Sequence, residues 1–273
     1  MERIQAAIQK AKEQRAEAGP VARPAVAPRG ARTGAQPAVG PIWAELPSFE
    51  PDAELMMRNR VVTFADADPA HVAFDMMRTK ILRTMRANGW TSLGVTSPTA
   101  GSGKTTTCLN LAFSLAHQPD VRTVLVDLDL RRPAMAKLLG LTRPQSMASV
   151  LQGDPPLADN FVRYGENLAI GANDAPIRAS SELLLNAATA RNVAAFKAAF
   201  AADVLLYDLP PMLQSDDVMA FLPHLDCVLL IAAAERSRLD EVDKCERELS
   251  EQTNVLGVVL NMCRYTGADY GYY

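Results

Sequence analysis

Residues 96–106 read TSPTAGSGKTT, and they stand between a short apolar run at 93–95 and a helical pattern at 108–115. A strand, a glycine-containing loop that ends in Gly-Lys-Thr, and a helix together form the layout of a phosphate-binding P-loop. Small residues allow backbone N–H groups to surround an anion, and the helix N-terminus adds a partial positive charge. The stretch therefore predicts a site for the phosphates of a nucleotide.

Individual residues of this loop have expected roles. Lys104 is expected to reach the outer phosphates, and the Thr105 hydroxyl is expected to contact Mg²⁺. The general pattern begins with a glycine where this chain has Pro98. A chance occurrence of these letters is the competing interpretation, and the strand and helix around them argue against it. The predicted nucleotide-binding residues of the loop are Ala100, Gly101, Ser102, Gly103, Lys104, Thr105 and Thr106.

The composition is that of an ordinary globular protein. The chain has 273 residues, enough for one sizeable α/β domain with extensions, and its net charge of -3 gives no reason to expect nucleic-acid binding. The longest apolar run, at about 227–234, is far shorter than the roughly 18 residues of a membrane span. The N-terminus lacks the apolar core of a signal peptide. We therefore expect a cytoplasmic protein whose scattered cysteines are free thiols.

A helix and a linker are predicted to precede the main domain. Residues 1–17 follow a helical pattern with Ile4 and Ile8 on one face, which is so thin that the helix either needs a partner surface or frays. Residues 18–60 are rich in proline and alanine, which predicts a disordered linker. Three large apolar residues of this linker are expected to dock on the chain's own domain or, alternatively, on a partner. They are Trp43, Leu46 and Phe49.

Residues 61–264 are predicted to form one α/β domain. It begins with a basic helix that Asp68 and Pro69 start and Gly89 ends. Apolar strands then alternate with helices, which indicates a mostly parallel sheet with helices on both faces, the fold of an α/β P-loop NTPase. The strands are expected near 93–97, 121–126, 168–170, 204–207, 227–233 and 256–260, and the later helices near 146–151, 181–200, 216–222 and 240–252.

Polar side chains stand at the carboxyl ends of three further strands. Asp127 and Asp129 end one strand, and Asp208 directly follows another. Ligands bind at this edge of open α/β sheets, and Mg²⁺ prefers oxygen ligands, so Thr105, phosphates and one or two carboxylates would suit it. A carboxylate is also needed to accept a proton, and Asp127 and Asp129 can divide these roles in either order. Asn261, after the last strand, is expected to contact the edge of an adenine or to act as a cap.

The C-terminal tail, residues 265–273, concentrates four of the six tyrosines of the chain. An extended tail of this length spans on the order of 30 Å at ~3.3 Å per residue. It is therefore a candidate phosphoacceptor for the chain's own site or for that of a neighbouring subunit, and the alternative is an aromatic tail that packs on a surface. The four residues are Tyr265, Tyr270, Tyr272 and Tyr273.

Together these motifs resemble the bacterial tyrosine kinases (BY-kinases) of polysaccharide synthesis and export, in the form whose cytoplasmic kinase is a separate chain. The resemblance covers about residues 60–273. It rests on the P-loop at 97–106, a second Walker-type motif, VLVDLDLR, at 124–131, a Walker B motif, VLLYDLPP, at 204–211, and the tyrosine cluster.

The resemblance implies ATP and Mg²⁺, and autophosphorylation of the tail between subunits of a ring-like homo-oligomer. It also implies control of exopolysaccharide synthesis and export, with a membrane partner of the chain-length-determining type that activates the kinase at the inner membrane, and a counteracting tyrosine phosphatase. By this resemblance the catalytic residues are Lys104, Asp127, Asp129 and Asp208, and the metal ligands are Thr105, Asp127 and Asp208.

Two departures from the family keep other interpretations open. The family's interface helix carries Glu-x-x-Arg-x-x-Arg, whereas this chain has Val72, Asp75 and Arg78 at those positions, and the loop reads AGSG at 100–103 in place of the common PGEG. One alternative is a regulatory ATPase related to the cell-division-site and plasmid-partition ATPases, but those carry a lysine where this chain has Thr99. The other alternative is a nucleotide-gated adaptor of an export complex without kinase activity.

Overall fold

The computed structural model describes residues 41–64, 68–154 and 156–263. The predicted helix at 1–17, the first part of the predicted linker and the tail at 265–273 lie outside these ranges. Within them, the helices are α1 Pro41–Glu45, α2 Ala53–Arg58, α3 His71–Asn88, α4 Lys104–Ala116, α5 Met135–Leu139, α6 Met147–Gln152, α7 Ser180–Leu185, α8 Ala187–Phe200, α9 Asp217–Phe221 and α10 Leu239–Gln252. The strands are β1 Ser92–Ser97, β2 Thr123–Asp127, β3 Val162–Tyr164, β4 Leu168–Gly171, β5 Val204–Pro211, β6 Cys227–Ala233 and β7 Asn254–Asn261.

The strands form one sheet in the order β3-β4-β2-β5-β1-β6-β7. All neighbours are parallel except β3 and β4, which are antiparallel. The central strands β1, β2, β5 and β6 are buried along their whole length, as expected when helices cover both faces of a sheet. The predicted α/β P-loop NTPase fold with a mostly parallel sheet is therefore confirmed.

Two apolar cores lie on opposite faces of this sheet. One includes Phe196, Phe200 and Tyr207, and the other is built around α4, whose Leu109 and Phe113 are fully buried. The P-loop helix α4 is thus enclosed along most of its length, which fixes the position of the loop at its N-terminus.

Several element boundaries differ from the sequence prediction. The predicted helix at 181–200 is two helices, because Asn186 adopts an extended conformation and its side chain caps α8 at the backbone N–H of Ala188. The basic helix α3 begins at His71 rather than at Pro69, and Gly89 ends it in the left-handed conformation as predicted. The short elements β3 and α5 were not predicted, since runs this short give no clear periodicity.

The second half of the predicted linker is folded, so the linker prediction is wrong for residues 41–60. Trp43 is only 2% exposed, and its indole Nε1 donates a hydrogen bond of 2.9 Å to the carbonyl of Phe200. Leu46 is also buried, and Phe49 packs partly against the core on the α4 side. These three residues therefore dock on the chain's own domain, because burying their large apolar surfaces outweighs the local preference of the prolines for irregular structure.

No helix within the described ranges combines the length and the hydropathy that crossing a bilayer requires.

Candidate nucleotide site

The P-loop runs from the end of β1 to the start of α4 and has a tightly bonded backbone. Gly101 and Gly103 both have φ of 79°, a left-handed conformation that glycine adopts without a Cβ clash. The hydroxyls of Ser97 and Ser102 donate to the carbonyl of Thr99, at 2.8 and 3.0 Å. These hydrogen bonds and glycine conformations define the shape of the loop, whose backbone N–H groups suit an anion.

Lys104, the first residue of α4, pairs with Asp129 from the loop that follows β2. Its Nζ lies 2.7 Å from Oδ2 of Asp129, and both residues are buried. Burial alone would lower the pKa of Lys104, but the charges of Asp208 and Asp129 outweigh it and hold that pKa above its ordinary value. The lysine is therefore fully charged at neutral pH and is held by a carboxylate at the mouth of the loop.

Asp127 and Asp208 are neighbours in the register of β2 and β5, and both are buried. Oδ1 of Asp127 accepts a hydrogen bond of 3.1 Å from the backbone N–H of Asp129, while Oδ1 of Asp208 lies 3.7 Å from Sγ of Cys108. The other oxygen of each carboxylate, Oδ2, has no hydrogen-bond partner within the described residues. Two buried and unpartnered carboxylate oxygens side by side are suited to a cation.

The protonation of these carboxylates reflects their burial. Burial raises the pKa of Asp127, and the charges of Asp208 and Asp129 raise it further. Burial also raises the pKa of Asp208, although the charge of Lys104 and the nearby hydroxyl of Thr105 oppose this in part. Thr105 and Asp208, two of the three predicted metal ligands, therefore lie near each other.

The donor set fits Mg²⁺ only together with phosphate. Within the described ranges, no group of three or more His, Cys, Asp or Glu side chains is arranged to hold a metal ion by itself. Mg²⁺ commonly takes one or two protein oxygens and completes its shell with phosphates and water. The hydroxyl of Thr105 and the unpartnered oxygens of Asp127 and Asp208 supply such a set.

Asn261 lies at the end of β7, on the other side of the P-loop. Its amide Nδ2 donates a hydrogen bond of 2.9 Å to the carbonyl of Ser102. A Cβ on Gly103 would collide with this amide, so the side chain sits directly against the loop. The amide nitrogen is therefore used to hold the loop, and the amide oxygen is the group that Asn261 can offer to a base.

A cavity of about 340 Å³ adjoins Asn261, and its lining had not been predicted. Glu235 and Met262, which both line it, have φ of 63° and 59°, a left-handed conformation that is uncommon for residues other than glycine. Such strain is often found where a ligand binds. No motif in the sequence points to these residues, apart from their place just after β6 and β7. The lining residues are Ala234, Glu235, Arg236 and Met262.

Some of the remaining predicted site residues lie at the P-loop, and others lie outside the described ranges. Thr106 lies in the first turn of α4, and Ala100 is exposed at the rim of the loop. The predicted phosphoacceptor tyrosines, at 265–273, lie outside the described ranges. Cys108 was not singled out from the sequence, although it follows Lys104 by one helical turn and therefore faces the same side of α4.

Comparison with known proteins identifies the family. The family model ParA, described as NUBPL iron-transfer P-loop NTPase, matches residues 91–272. The putative tyrosine-protein kinase EpsB of Ralstonia nicotianae is 30% identical over 207 residues, which is 75% of this chain but only 27% of EpsB. The tyrosine-protein kinase CpsD of Streptococcus agalactiae is 28% identical over 204 residues, 73% of this chain and 86% of CpsD.

A solved structure gives the same indication. The kinase domain of Escherichia coli tyrosine kinase ETK superposes with a TM-score of 0.67 at 26% identity and covers 78% of this chain and 84% of that domain. These similarities confirm the resemblance to the bacterial tyrosine kinases that the motifs indicated. The chain belongs to the ParA family of P-loop NTPases, and within that family it is similar to the kinase domains of bacterial tyrosine kinases.

Proposed function

We propose that the protein is an ATP-dependent protein-tyrosine kinase that phosphorylates its own C-terminal tyrosines. The observation that carries the proposal is the buried pair of Lys104 and Asp129, because it places a phosphate-binding cation and a candidate base in direct contact. The names of the relatives EpsB, CpsD and ETK support tyrosine-kinase activity, and the ParA-type fold supports binding of a nucleotide and Mg²⁺ in general.

The contacts within the acidic set suggest how its roles are divided. Asp127 and Asp208 each have an unpartnered buried oxygen, so they are the proposed ligands of Mg²⁺ together with Thr105. When bound, Mg²⁺ would offset the charge of the phosphate oxygens. Asp129 is the proposed base, because its oxygen is released when Lys104 turns to the phosphates.

The proposed transfer uses the residues as follows. Asp129 accepts the proton of the tyrosine hydroxyl, and the phenol oxygen forms a bond to the γ-phosphorus of ATP. The bond from that phosphorus to the bridging oxygen of ADP breaks, and Lys104 stabilises the charge that remains on the phosphate oxygens. The protein therefore mainly positions the attacking phenol oxygen and the leaving oxygen of ADP in line with the γ-phosphorus, and it supplies compensating positive charge.

The cavity beside Asn261 is the proposed site of the adenine. The amide nitrogen of Asn261 is engaged by Ser102, so its free amide oxygen would accept a hydrogen bond from the base. Adenine carries an amino group at the required edge, whereas guanine presents a carbonyl oxygen there, so this arrangement favours ATP over GTP.

The proposed biological role includes partners. We propose that phosphorylation of the tail regulates exopolysaccharide polymerisation and export, that a membrane protein of the chain-length-determining type activates the kinase at the inner membrane, and that a tyrosine phosphatase reverses the reaction. We also propose a homo-oligomer in which one subunit phosphorylates the tail of another. The chain spans only about a quarter of the length of EpsB. Roles that depend on the whole of such a relative are therefore proposals for this chain.

The contacts of helix α3 within the subunit limit which of its side chains can form the proposed oligomer. Arg78, which takes the position of the last arginine of the family pattern, donates hydrogen bonds of 2.8 Å to Asp75 and to the carbonyl of Ser114 on α4. Its charge is therefore used within the subunit, while Val72 and Met76 on the same helix are exposed. An oligomer built on α3 would therefore use this apolar surface rather than Arg78.

The test is to incubate the purified chain with Mg-ATP and to measure phosphotyrosine. Lys104→Met and a chain cut after Arg264 should both give no signal, whereas Lys137→Met, at an exposed position on α5, should give the wild-type signal. A signal that is equal in all four proteins would refute the kinase proposal. Its absence from the wild type, even with the cytoplasmic segment of the membrane partner, combined with retained ATP binding, would favour the nucleotide-gated adaptor.

A further inference from the structure

A second charged cluster, built around Asp217, lies outside the set of Lys104 and its three carboxylates. Asp217 is the first residue of α9 and is fully buried. Its carboxylate accepts hydrogen bonds of 2.7 Å from the hydroxyls of Ser180 and Ser181. The guanidinium of Arg131 completes the cluster, with Nη2 at 3.0 Å from Oδ1 and Nε at 3.2 Å from both oxygens. A buried carboxylate requires such partners, because removal from water is otherwise costly.

Both members of this ion pair stay charged at neutral pH. Burial alone would raise the pKa of Asp217, but the hydrogen bonds from Arg131, Ser180 and Ser181 outweigh it and hold that pKa below its ordinary value. The hydrogen bond to Asp217 in turn raises the pKa of Arg131. The ion pair is therefore a forked, charge-assisted hydrogen-bonding contact, and neither of its members titrates near neutral pH.

The position of the pair along the chain links it to the proposed active site. Arg131 follows Asp129 by two residues in the loop after β2, and Asp217 follows Asp208 by nine residues in the segment after β5. The pair therefore joins the segments that follow β2 and β5, the two strands whose C-terminal parts carry Asp127 and Asp208. Lys104 contacts Asp129 in this loop, whereas Arg131 contacts Asp217, so the two cations hold the loop through different partners.

Asp129 has two anchors in this structure. Its Oδ2 is held by Lys104, and its Oδ1 accepts a hydrogen bond of 3.1 Å from the backbone N–H of Arg132. When Lys104 turns to the phosphates, the first of these anchors is lost. We propose that the Arg131–Asp217 pair is a positioning clamp that keeps Asp129 aligned with Asp208 once Lys104 has moved to the nucleotide. This inference rests on the roles proposed above for Lys104 and Asp129.

Two features of Arg131 allow a positioning role to be distinguished from a purely stabilising one. The side chain of Arg131 is 41% exposed, so its removal sacrifices little packing. Its planar fork fixes direction as well as distance, whereas a lysine at the same position would supply only a point charge. Arg131→Lys should therefore keep the attraction to Asp217 and lose the alignment, while Arg131→Gln should lose both.

The experiment compares the full chain with Arg131→Lys, Arg131→Gln and Asp217→Asn. Arg143→Gln is the matched control, because Arg143 forms an exposed ion pair with Asp159 that is remote in sequence from both strand ends. Three quantities are measured for each protein. They are the rate of phosphotyrosine formation at saturating Mg-ATP, the affinity for ADP with and without Mg²⁺, and the midpoint of thermal unfolding.

The clamp predicts a specific pattern of effects. Arg131→Gln should lower the saturated rate by about 10-fold to 100-fold, the loss expected when a reacting group is misplaced by roughly 1 Å, and leave the affinity for metal-free ADP near the wild-type value. Arg131→Lys should fall between Arg131→Gln and the wild type, and the control should match the wild type. Rates equal to that of the wild type in both Arg131 variants would overturn the proposal, as would rates that decline only in proportion to the unfolded fraction.

The measurements distinguish failure of the clamp proposal from failure of the kinase proposal. If the wild type forms no phosphotyrosine, the kinase proposal fails and the clamp is judged by the gain in ADP affinity that Mg²⁺ produces. Arg131→Gln should reduce this gain, because the pair also joins the segments that follow β2 and β5, which carry the proposed Mg²⁺ ligands Asp127 and Asp208. Arg143→Gln should not reduce it. An equal gain in both variants would overturn the clamp. Asp217→Asn removes a buried charge and can unfold the chain, so the half-exposed Arg131 variants decide the outcome.

Discussion

Replacing Lys104 by methionine should destabilise the nucleotide-free protein as well as weaken nucleotide binding. Lys104 is buried, and its ammonium lies 2.7 Å from Asp129. The buried carboxylates of Asp127 and Asp208 are close enough for their charges to be coupled to this group. Methionine fills a similar volume but carries no charge, so three carboxylates would be left at one edge of the sheet without the cation that compensates them.

The size of the effect follows from the burial of the pair. Removing one partner of a buried ion pair typically costs about 3–5 kcal/mol, because the other charge is left without compensation. For a domain of this size, about 1 kcal/mol changes the midpoint of thermal unfolding by roughly 2–4 °C, so the midpoint should fall by about 6–20 °C. The lower part of this range is expected, because Asp127 and Asp208 can take up a proton.

The destabilisation should depend on pH. Burial and neighbouring charges raise the pKa of Asp127 and Asp208 in the folded state. Such groups favour folding below their unfolded pKa, and this contribution is lost as the pH rises through the raised folded value. The stability difference between the wild type and Lys104→Met should therefore be largest near neutral pH and decrease as the pH is lowered.

Thermal and urea unfolding of nucleotide-free protein measure this effect. The double variant Lys104→Met/Asp129→Asn should recover most of the lost stability, because it removes the charge left unpaired, yet it should not recover nucleotide binding. Lys137→Met, an exposed lysine on α5, is the control and should unfold with the wild type. If Lys104→Met unfolds within about 1 °C of the wild type, less than a 1 kcal/mol effect would give, the buried ion pair does not stabilise the apo protein.

Three further predictions concern other parts of the molecule. Asp127→Asn should raise the thermal midpoint of the nucleotide-free protein near neutral pH and abolish the stabilisation by Mg-ADP over ADP, and a lower midpoint would contradict the proposed unfavourable charge. Gly103→Ala should cost about 1–2 kcal/mol of stability for the left-handed conformation, and its Cβ should displace Asn261. ADP titration should therefore show a loss of affinity of about 10-fold or more. An unchanged affinity would show that the contact of Asn261 with the loop does not support nucleotide binding. Trp43→Ala should cost about 3–5 kcal/mol in urea unfolding, while Met57→Ala, at a position that is 62% exposed, should be nearly neutral; equal effects would show that residues 41–46 do not belong to the folded unit.

The part of the candidate site that could be predicted from the sequence is the part whose chemistry is local. The Gly-Ser-Gly-Lys-Thr run and the aspartates that come next to apolar runs are properties of short stretches, and the parallel sheet brings the C-terminal parts of these strands together. Asp208 lies within β5 rather than directly after it, because β5 continues to Pro211. The pairing of Lys104 with Asp129 could not be predicted in this way, because it joins the first residue of α4 to the loop that follows β2. Nor could the contact of Asn261 with Ser102, which spans 159 residues of sequence.

The errors have a common physical origin. The linker prediction followed local composition, yet Trp43 is held by a hydrogen bond and a ring contact to Phe200, far along the chain. The predicted long helix at 181–200 followed helix propensity, whereas Asn186 breaks it so that α7 can bring Ser180 and Ser181 to Asp217. In both cases tertiary contacts decided between local alternatives of similar energy.

Mapping of phosphate on the full chain by mass spectrometry, after incubation with Mg-ATP, tests the kinase proposal most directly. The wild type should carry phosphate on one or more of the tail tyrosines, and Asp129→Asn, which keeps the shape of the side chain but removes the proposed base, should carry none. Phosphate on the tail of both proteins would contradict the role of Asp129. A tail free of phosphate in the wild type, with the cytoplasmic segment of the membrane partner present, would contradict the kinase itself. The residues to be mapped are Tyr265, Tyr270, Tyr272 and Tyr273.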